Sequence, residues 1–216
     1  MIAILILFAA AFLLGSVPFG LLMARAFSVG DLQAKGSGNI GASNVSRVVG
    51  FWPAGALTFL LDVLKGAVPA LVVSLPAMQQ WWTGWWEGFG RSGVEITDNV
   101  IWAVGFCAIL GHCFSPWVRF KGGKGVATGF GVILVLSPWA GIAGIVAFAF
   151  TFLKFKTASL ASIAGLLMVA VVHLVIHDHR TYGSNLWIGA AILFLILIRH
   201  EANLDGLLEG RERSFT

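Results

Sequence analysis

Charge is what this chain has least of. Asp, Glu, Lys and Arg make up 11% of its 216 residues, against 58% hydrophobic, and the mean hydropathy is +0.89. A soluble domain carries about 25% charged residues, so the composition excludes one and implies an integral membrane protein. Cysteine is scarce too. Cys107 and Cys113 lie in or beside one apolar segment, where their spacing turns them to different faces of a helix, which argues for free core thiols and against redox chemistry. No block of Lys and Arg interleaved with aromatics offers a footing for nucleic acid, so the net charge of +4 speaks to membrane topology. There is no internal repeat, no linker, no soluble domain and no GxSxG nucleophile elbow. The first apolar run lacks the positive start of a signal peptide.

What is present is a series of apolar runs. Ile2 to Ala24, Phe51 to Ala77, Val100 to Phe114, Thr157 to Ile176 and Asn185 to Ile198 read as spans, a full crossing taking about 20 residues. Val126 to Leu153 would make one helix of about 42 Å, too long for a core of about 30 Å. Ser137-Pro138 interrupts it, and proline favours a break there. Splitting the segment puts every loop and tail cation on one side except Arg91 and Arg180, as the positive-inside rule requires. The expectation is an all-α integral membrane protein. It is a seven-helix transmembrane bundle with short central helices, N-terminus outside and C-terminus cytoplasmic, forming one domain over 1–216. Gln79 to Asn99, with Trp81, Trp82, Trp85 and Trp86, suits an amphipathic hairpin on the outer interface.

This topology brings three polar stretches to the cytoplasmic side. In Phe120–Thr128 (FKGGKGVAT), Lys121 and Lys124 flank Gly122 and Gly123, and Gly125 opens a helix. Glycines allow close backbone approach and a helix N-terminus favours anions, so this is the wording of a phosphate site. It is not a Walker A loop. In Gly36–Arg47 (GSGNIGASNVSR), the GxGxxG spelling follows a membrane helix and not a strand, so it is no dinucleotide fingerprint. Its Ser37, Asn39, Ser43, Asn44 and Arg47 are expected to face a ligand, Arg47 as a bidentate phosphate partner. The third stretch, His200 to Glu212, spells HxxxxD across His200 and Asp205, although residues five apart on a helix diverge by about 140°. His173, His177 and His179 with Asp178 fall on the other side and are read as interfacial, with no metal site. Asp62 and Lys65 lie three apart in the second span, close enough to pair, and read as a structural pair supporting the site.

Together these motifs resemble the acyl-phosphate-dependent glycerol-3-phosphate acyltransferases, the PlsY family of bacterial inner membranes. Gly15–Gly20 (GSVPFG), Gly36–Arg47, Leu61–Gly66, Gly111-His112, Phe120–Thr128, and His200 with Asn203, Gly210 and Glu212 carry the likeness in order. Ile40, Ser43, Gly206 and Arg211 depart from the family's usual residues. The resemblance implies acyl transfer from acyl phosphate to the sn-1 hydroxyl of glycerol 3-phosphate, giving lysophosphatidic acid and phosphate, with no cofactor. It assigns catalysis to His200, Asn203 and Ser37. Substrate binding falls to Ser37, Asn39, Asn44, Arg47, Lys121, Gly122, Gly123, Lys124, Gly125, Thr128, His200, Asn203 and Glu212. It also implies a multi-pass inner-membrane protein in membrane lipid, working as a monomer with its active site toward the cytoplasm, and allows contact with the enzyme that produces the acyl phosphate.

Two other readings compete. A thioester-dependent acyltransferase would work through His200 and Asp205, the Asp orienting the His as base. An organophosphate transporter would also use basic glycine loops, but near the bilayer midplane and often with internal symmetry.

Overall fold

The computed structural model describes residues 2–90, 95–176 and 179–215. Arg91, His177 and Asp178 lie outside them, as do the side chains of His179 and Arg180. Among the described residues the chain is helical, without a strand. In order the helices are α1 (Ile2–Ser16), α2 (Phe19–Ala26), α3 (Ala42–Val48), α4 (Ala56–Ser74), α5 (Pro76–Glu87), α6 (Asp98–Cys113), α7 (Val126–Leu136), α8 (Pro138–Phe155), α9 (Ala158–Ile176), α10 (His179–Ile198) and α11 (Glu201–Leu208). Among the described residues five helical stretches are long and apolar enough to cross a membrane, and six if Asn185–Ile198 and Glu201–Leu208, bent by 58°, count as one span.

The break expected at Ser137-Pro138 is there, separating α7 from α8. The first span is broken as well, which its apolar run did not foretell: Pro18 ends α1 and α2 restarts at Phe19. Proline cannot continue a hydrogen-bond ladder, so carbonyls at the break are free for other donors. Lys65 donates to the Val17 carbonyl at 2.8 Å and Ser115 Oγ to the Ser16 carbonyl at 2.6 Å. The same Lys65 ammonium lies 2.8 Å from the Asp62 carboxylate. The buried pair on α4 therefore mends the kink in the first span, and such mutual pairing is how ionisable side chains are accommodated inside a bundle.

Lipid offers no hydrophobic drive between helices, so small residues let backbones meet. A Cβ on Gly15 would lie 2.1 Å from the Ala108 carbonyl oxygen, and one on Gly111 2.1 Å from that of Phe12. That pairing sets α1 antiparallel to α6. Gly66 against Thr128 and Gly131 against Val63 do the same for α4 and α7. α8 runs antiparallel to α9, with Gly144 beside Val169 and Gly165 beside Phe148, while α10 runs parallel to α6, with Gly189 beside Trp102 and Ile196 near Ile109. Ser137, at the far end of α7, meets His173 Nδ1 at 3.2 Å, and the His173 ring lies 5.2 Å from that of Trp102. On α5, Trp82 and Trp86 are buried against the bundle, whereas Trp81 and Trp85 stack outward. The ends of α1, α6, α8 and α10 and the starts of α4, α7 and α9 converge on one face.

Candidate active site

The basic glycine loop joins α6 to α7 on that face. Gly122 N–H donates to the Cys113 carbonyl at 3.1 Å and Gly123 N–H to that of His112 at 3.0 Å. Their own carbonyls accept from Arg199, Nη2 to Gly122 at 2.8 Å and Nε to Gly123 at 3.1 Å. The loop is thus clipped between the ends of α6 and α10. The two amides expected to face a phosphate are already used, which corrects that expectation. The anion-receptive groups sit one step further along. Gly125 turns into α7 at a φ of +89°, and the first amides of α7, at Val126, Ala127 and Thr128, have no partner within the helix. Lys124 stands beside them. Its ammonium donates to Asn203 Oδ1, and burial pulls its pKa from 10.5 to about 8.

Two other expected binders point elsewhere. Lys121 is exposed and lines neither polar cavity at this face, its carbonyl accepting from Gln33. Thr128 is fully buried with its backbone and methyl against Gly66 on α4, away from both cavities.

Asn44, expected to face a ligand, instead holds the first polar loop together. Its Oδ1 accepts from Ser37 N–H at 2.7 Å, and its Nδ2 donates to the carbonyls of Asn39, Lys35 and Leu32 at 2.8, 3.1 and 3.3 Å. The amide has two hydrogens, and both are committed. Gly36, at a φ of +59°, sits so close that a Cβ would fall 2.2 Å from Asn44 Oδ1. So supported, Ser37, Asn39 and Ser43 line the cavity that opens above them. Arg47 lies with its guanidinium 4.2 Å from the centre of the Phe215 ring and donates to the Arg213 carbonyl at 3.0 Å. Burial lowers its pKa, with Glu212 opposing that shift.

The C-terminal stretch closes the site. Glu212 Oε1 accepts from Asn203 Nδ2 and from Ser159 Oγ, each at 2.7 Å. With Lys124 on its Oδ1, the Asn203 amide is oriented at both ends. His200 is 1% exposed, and its Nδ1 lies 2.8 Å from the Ile196 carbonyl. A carbonyl can only accept, so the proton belongs on Nδ1 and Nε2 is left as an acceptor. Asp205 is exposed on α11, and the HxxxxD spelling makes no dyad among these bonds. That removes the geometry the thioester reading needs.

These groups surround two adjoining spaces. An outer polar cavity of about 390 Å³ is lined by Ser37, Asn39, Ser43, Arg47, Lys124, Ser159, Arg199, Asn203, Arg211, Glu212 and Arg213. An inner one of about 110 Å³ shares Asn39, Ser43, Lys124 and Ser159 with it and adds Asp62, His112, Ser162, His200 and the start of α7. The outer walls carry several cations against one carboxylate, which favours an anionic guest. Arg199, Ser159 and Arg213 are site residues that motif reading missed. Arg199 reads in sequence as one more positive charge at a span's end, and nothing there signals the carbonyls it holds. Ser159 opens a long apolar helix.

Residues 5–210 match the family described as "Glycerol-3-phosphate acyltransferase". A glycerol-3-phosphate acyltransferase of Anaeromyxobacter sp. (strain K) is 37% identical over 211 residues, covering 96% of this chain and 95% of the relative. That of Aliarcobacter butzleri is 36% identical over 208 residues, with 94% and 91% covered. Crystal structures of PlsY, an integral membrane glycerol 3-phosphate acyltransferase, in its glycerol 3-phosphate and lysophosphatidic acid forms, superpose with TM-scores of 0.80 and 0.78. Each is 34% identical and covers 99% of this chain, the chain covering 96% and 95% of theirs. A multi-pass helical bundle, three polar motifs meeting at one face and this likeness over nearly the whole length agree: the chain belongs to the glycerol-3-phosphate acyltransferase family.

Proposed function

We propose that the chain transfers a fatty acyl group from acyl phosphate to the sn-1 hydroxyl of glycerol 3-phosphate, releasing lysophosphatidic acid and inorganic phosphate. The observation that carries this reading is the pair of adjoining cavities, with Asn39, Ser43, Lys124 and Ser159 in the walls of both. The outer one is wide and cationic, sized for a small phosphorylated polyol. The inner one holds a single lysine beside the N-terminus of α7, suited to the head of a second phosphate.

An acyl phosphate is already activated, so no covalent enzyme intermediate is required. The glycerol hydroxyl attacks the acyl carbon, the tetrahedral centre collapses, and the carbon–oxygen bond to phosphate breaks. Lys124 and the first amides of α7 stabilise the phosphate as it leaves. Arg47 and Arg213, with Ser37 and Asn39, hold glycerol 3-phosphate in the outer cavity. Asn203 is fixed by Lys124 and Glu212 and keeps one amide hydrogen for the oxyanion, a contribution worth about 3–4 kcal/mol in hydrolases. The hydroxyl proton passes to His200 Nε2 or to a substrate phosphate.

The same reading places one membrane-embedded domain over 1–216 in a bacterial inner membrane, working as a monomer with the site toward the cytoplasm. Seven crossings, N-terminus outside, are supported by the alternation of helix direction from α1 through α4, α6, α7, α8 and α9 to α10. Purified protein in detergent, given acyl phosphate and glycerol 3-phosphate, should release phosphate and form lysophosphatidic acid, while acyl-CoA and acyl carrier protein support neither. No release, or equal rates with a thioester, overturns the proposal.

A further inference from the structure

We propose that Phe215 is a positioning residue for the acceptor's phosphate, and that the stretch from Glu212 to Phe215 is a strap holding the Arg47 guanidinium at the wall of the outer cavity. The inference rests on the reading that glycerol 3-phosphate occupies this cavity, and it names what keeps the phosphate-binding arginine in place. Phe215 belongs to none of the three polar motifs, and the family match ends at residue 210.

The strap is tied to a different part of the fold at each of three residues. Glu212 accepts from Ser159 at the start of α9 and from Asn203 on α11. The Arg213 guanidinium donates to the Gly36 carbonyl in the first polar loop, next to Ser37. The Phe215 amide donates to the Lys156 carbonyl at 2.7 Å, at the left-handed turn between α8 and α9. Its ring meets that of Phe152 edge-on with centres 5.4 Å apart, and Phe152 stacks in turn on Phe148 in the wall of the inner cavity. The strap therefore runs from α11 to α8 along the outer cavity, whose lining includes Glu212 and Arg213.

Arg47 meets the strap from α3. Its Nη2 donates to the Arg213 carbonyl at 3.0 Å, and its guanidinium lies 4.2 Å from the centre of the Phe215 ring, well inside the reach of a cation–π contact. Among the described residues no other side-chain hydrogen bond holds Arg47, and its Nε is buried without a partner. A buried donor left open is unfavourable, and a phosphate oxygen in the outer cavity would satisfy it. The like charge of Arg213 works against that of Arg47, so an unrestrained guanidinium would swing away toward solvent. One carbonyl and one aromatic face oppose that movement while leaving the remaining donors open. Glycerol 3-phosphate then meets a cation already in place, which lowers the ordering cost of binding.

The test is steady-state kinetics on the full-length protein in detergent, with both substrates varied. Phe215→Leu keeps an apolar side chain but removes the aromatic face. It should raise KM for glycerol 3-phosphate about three- to thirtyfold, the factor to which a lost cation–π contact converts. Both kcat and KM for acyl phosphate should stay within about twofold, and Phe215→Tyr should restore the parent KM. An unchanged KM for glycerol 3-phosphate in Phe215→Leu, an equal rise in both KM values, a loss confined to kcat, or a Tyr variant no better than Leu overturns the strap. Hydrogen exchange on the unaltered protein guards against a variant that misfolds. A strap that favours glycerol 3-phosphate must itself be favoured by glycerol 3-phosphate, so adding that ligand should slow exchange of the Phe215 amide severalfold. Exchange there that does not respond to the ligand also overturns it. Unaltered protein that forms no lysophosphatidic acid from acyl phosphate and glycerol 3-phosphate refutes the proposed function instead. Normal turnover with Phe215→Leu silent refutes the strap alone.

Discussion

Arg199 grips Gly122, its Nη2 donating to the glycine carbonyl at 2.8 Å while Nε takes the neighbouring carbonyl of Gly123. The basic glycine loop is therefore set by the end of α10 as much as by the helix it follows. Lysine keeps the charge but cannot present two donors in one rigid fork. Arg199→Lys should lower turnover roughly 10–100-fold, the factor that follows from losing charged hydrogen bonds of about 1.5–3 kcal/mol. Affinity for glycerol 3-phosphate should change far less. Steady-state kinetics with both substrates varied checks this, and turnover within about twofold of the parent would show that the loop holds its shape unaided.

Lys124 supplies a pH dependence whose sign is fixed. Burial depresses its pKa from 10.5 to about 8, so the ammonium is present below that value and lost above it. If that charge receives the donor phosphate, kcat/KM for acyl phosphate, which reports the free enzyme, should fall as pH rises through about 8. Lys124→Arg, whose side chain stays charged far above this range, should move the decline to higher pH even if its absolute rate is lower. Lys124→Ala should cut the rate by orders of magnitude at every pH. A parent profile flat from neutral pH to well above that value would mean the charge is not needed.

His200 and Asp205 separate two chemistries. His200 is buried with Nδ1 held by Ile196, whereas Asp205 is exposed on α11. Asp205→Ala should leave activity within about twofold, since surface substitutions away from special features change little. His200→Gln should reduce it strongly. Unchanged affinity for glycerol 3-phosphate with a collapse in kcat points to proton transfer, and the reverse points to grip. Activity with acyl-CoA that vanishes in Asp205→Ala would restore the thioester mechanism.

Much of this was legible in the residues. The break at Ser137-Pro138 followed from a length no bilayer accommodates, and the three motifs meet because charge topology left them one face. What escaped the sequence is which polar atoms already have partners. Gly122 and Gly123 spell a phosphate loop, yet their amides zip onto the end of α6, and the open amides begin after Gly125. Asn44 has the chemistry of a polyol ligand but is enclosed by the loop it organises. Pro18 sits in an unbroken apolar run, and only Lys65, far along the chain on α4, reveals that the break is capped. Composition and periodicity report which face a residue takes. They do not report which hydrogens are spoken for.

Asn44 gives the sharpest test of that distinction. Were it a ligand group, Asn44→Asp would keep acceptor oxygens in the cavity and its cost would appear in substrate affinity. As the loop's organiser it uses one oxygen and both amide hydrogens, the latter on the carbonyls of Asn39, Lys35 and Leu32. Asp removes both donors and sets a carboxylate against those carbonyls, so it should be at least as damaging as Ala, although it is the closer match in shape. Each buried group left unpaired costs about 1–3 kcal/mol, so both variants should lose about 2–4 kcal/mol of stability, read as a lower thermal midpoint in detergent before any substrate is added. Gly36→Ala should act in the same direction from the other side, because its methyl enters the space of Asn44 Oδ1 at an unfavourable positive φ. A variant Asn44→Asp with parental stability and weakened glycerol 3-phosphate binding would return Asn44 to the cavity wall.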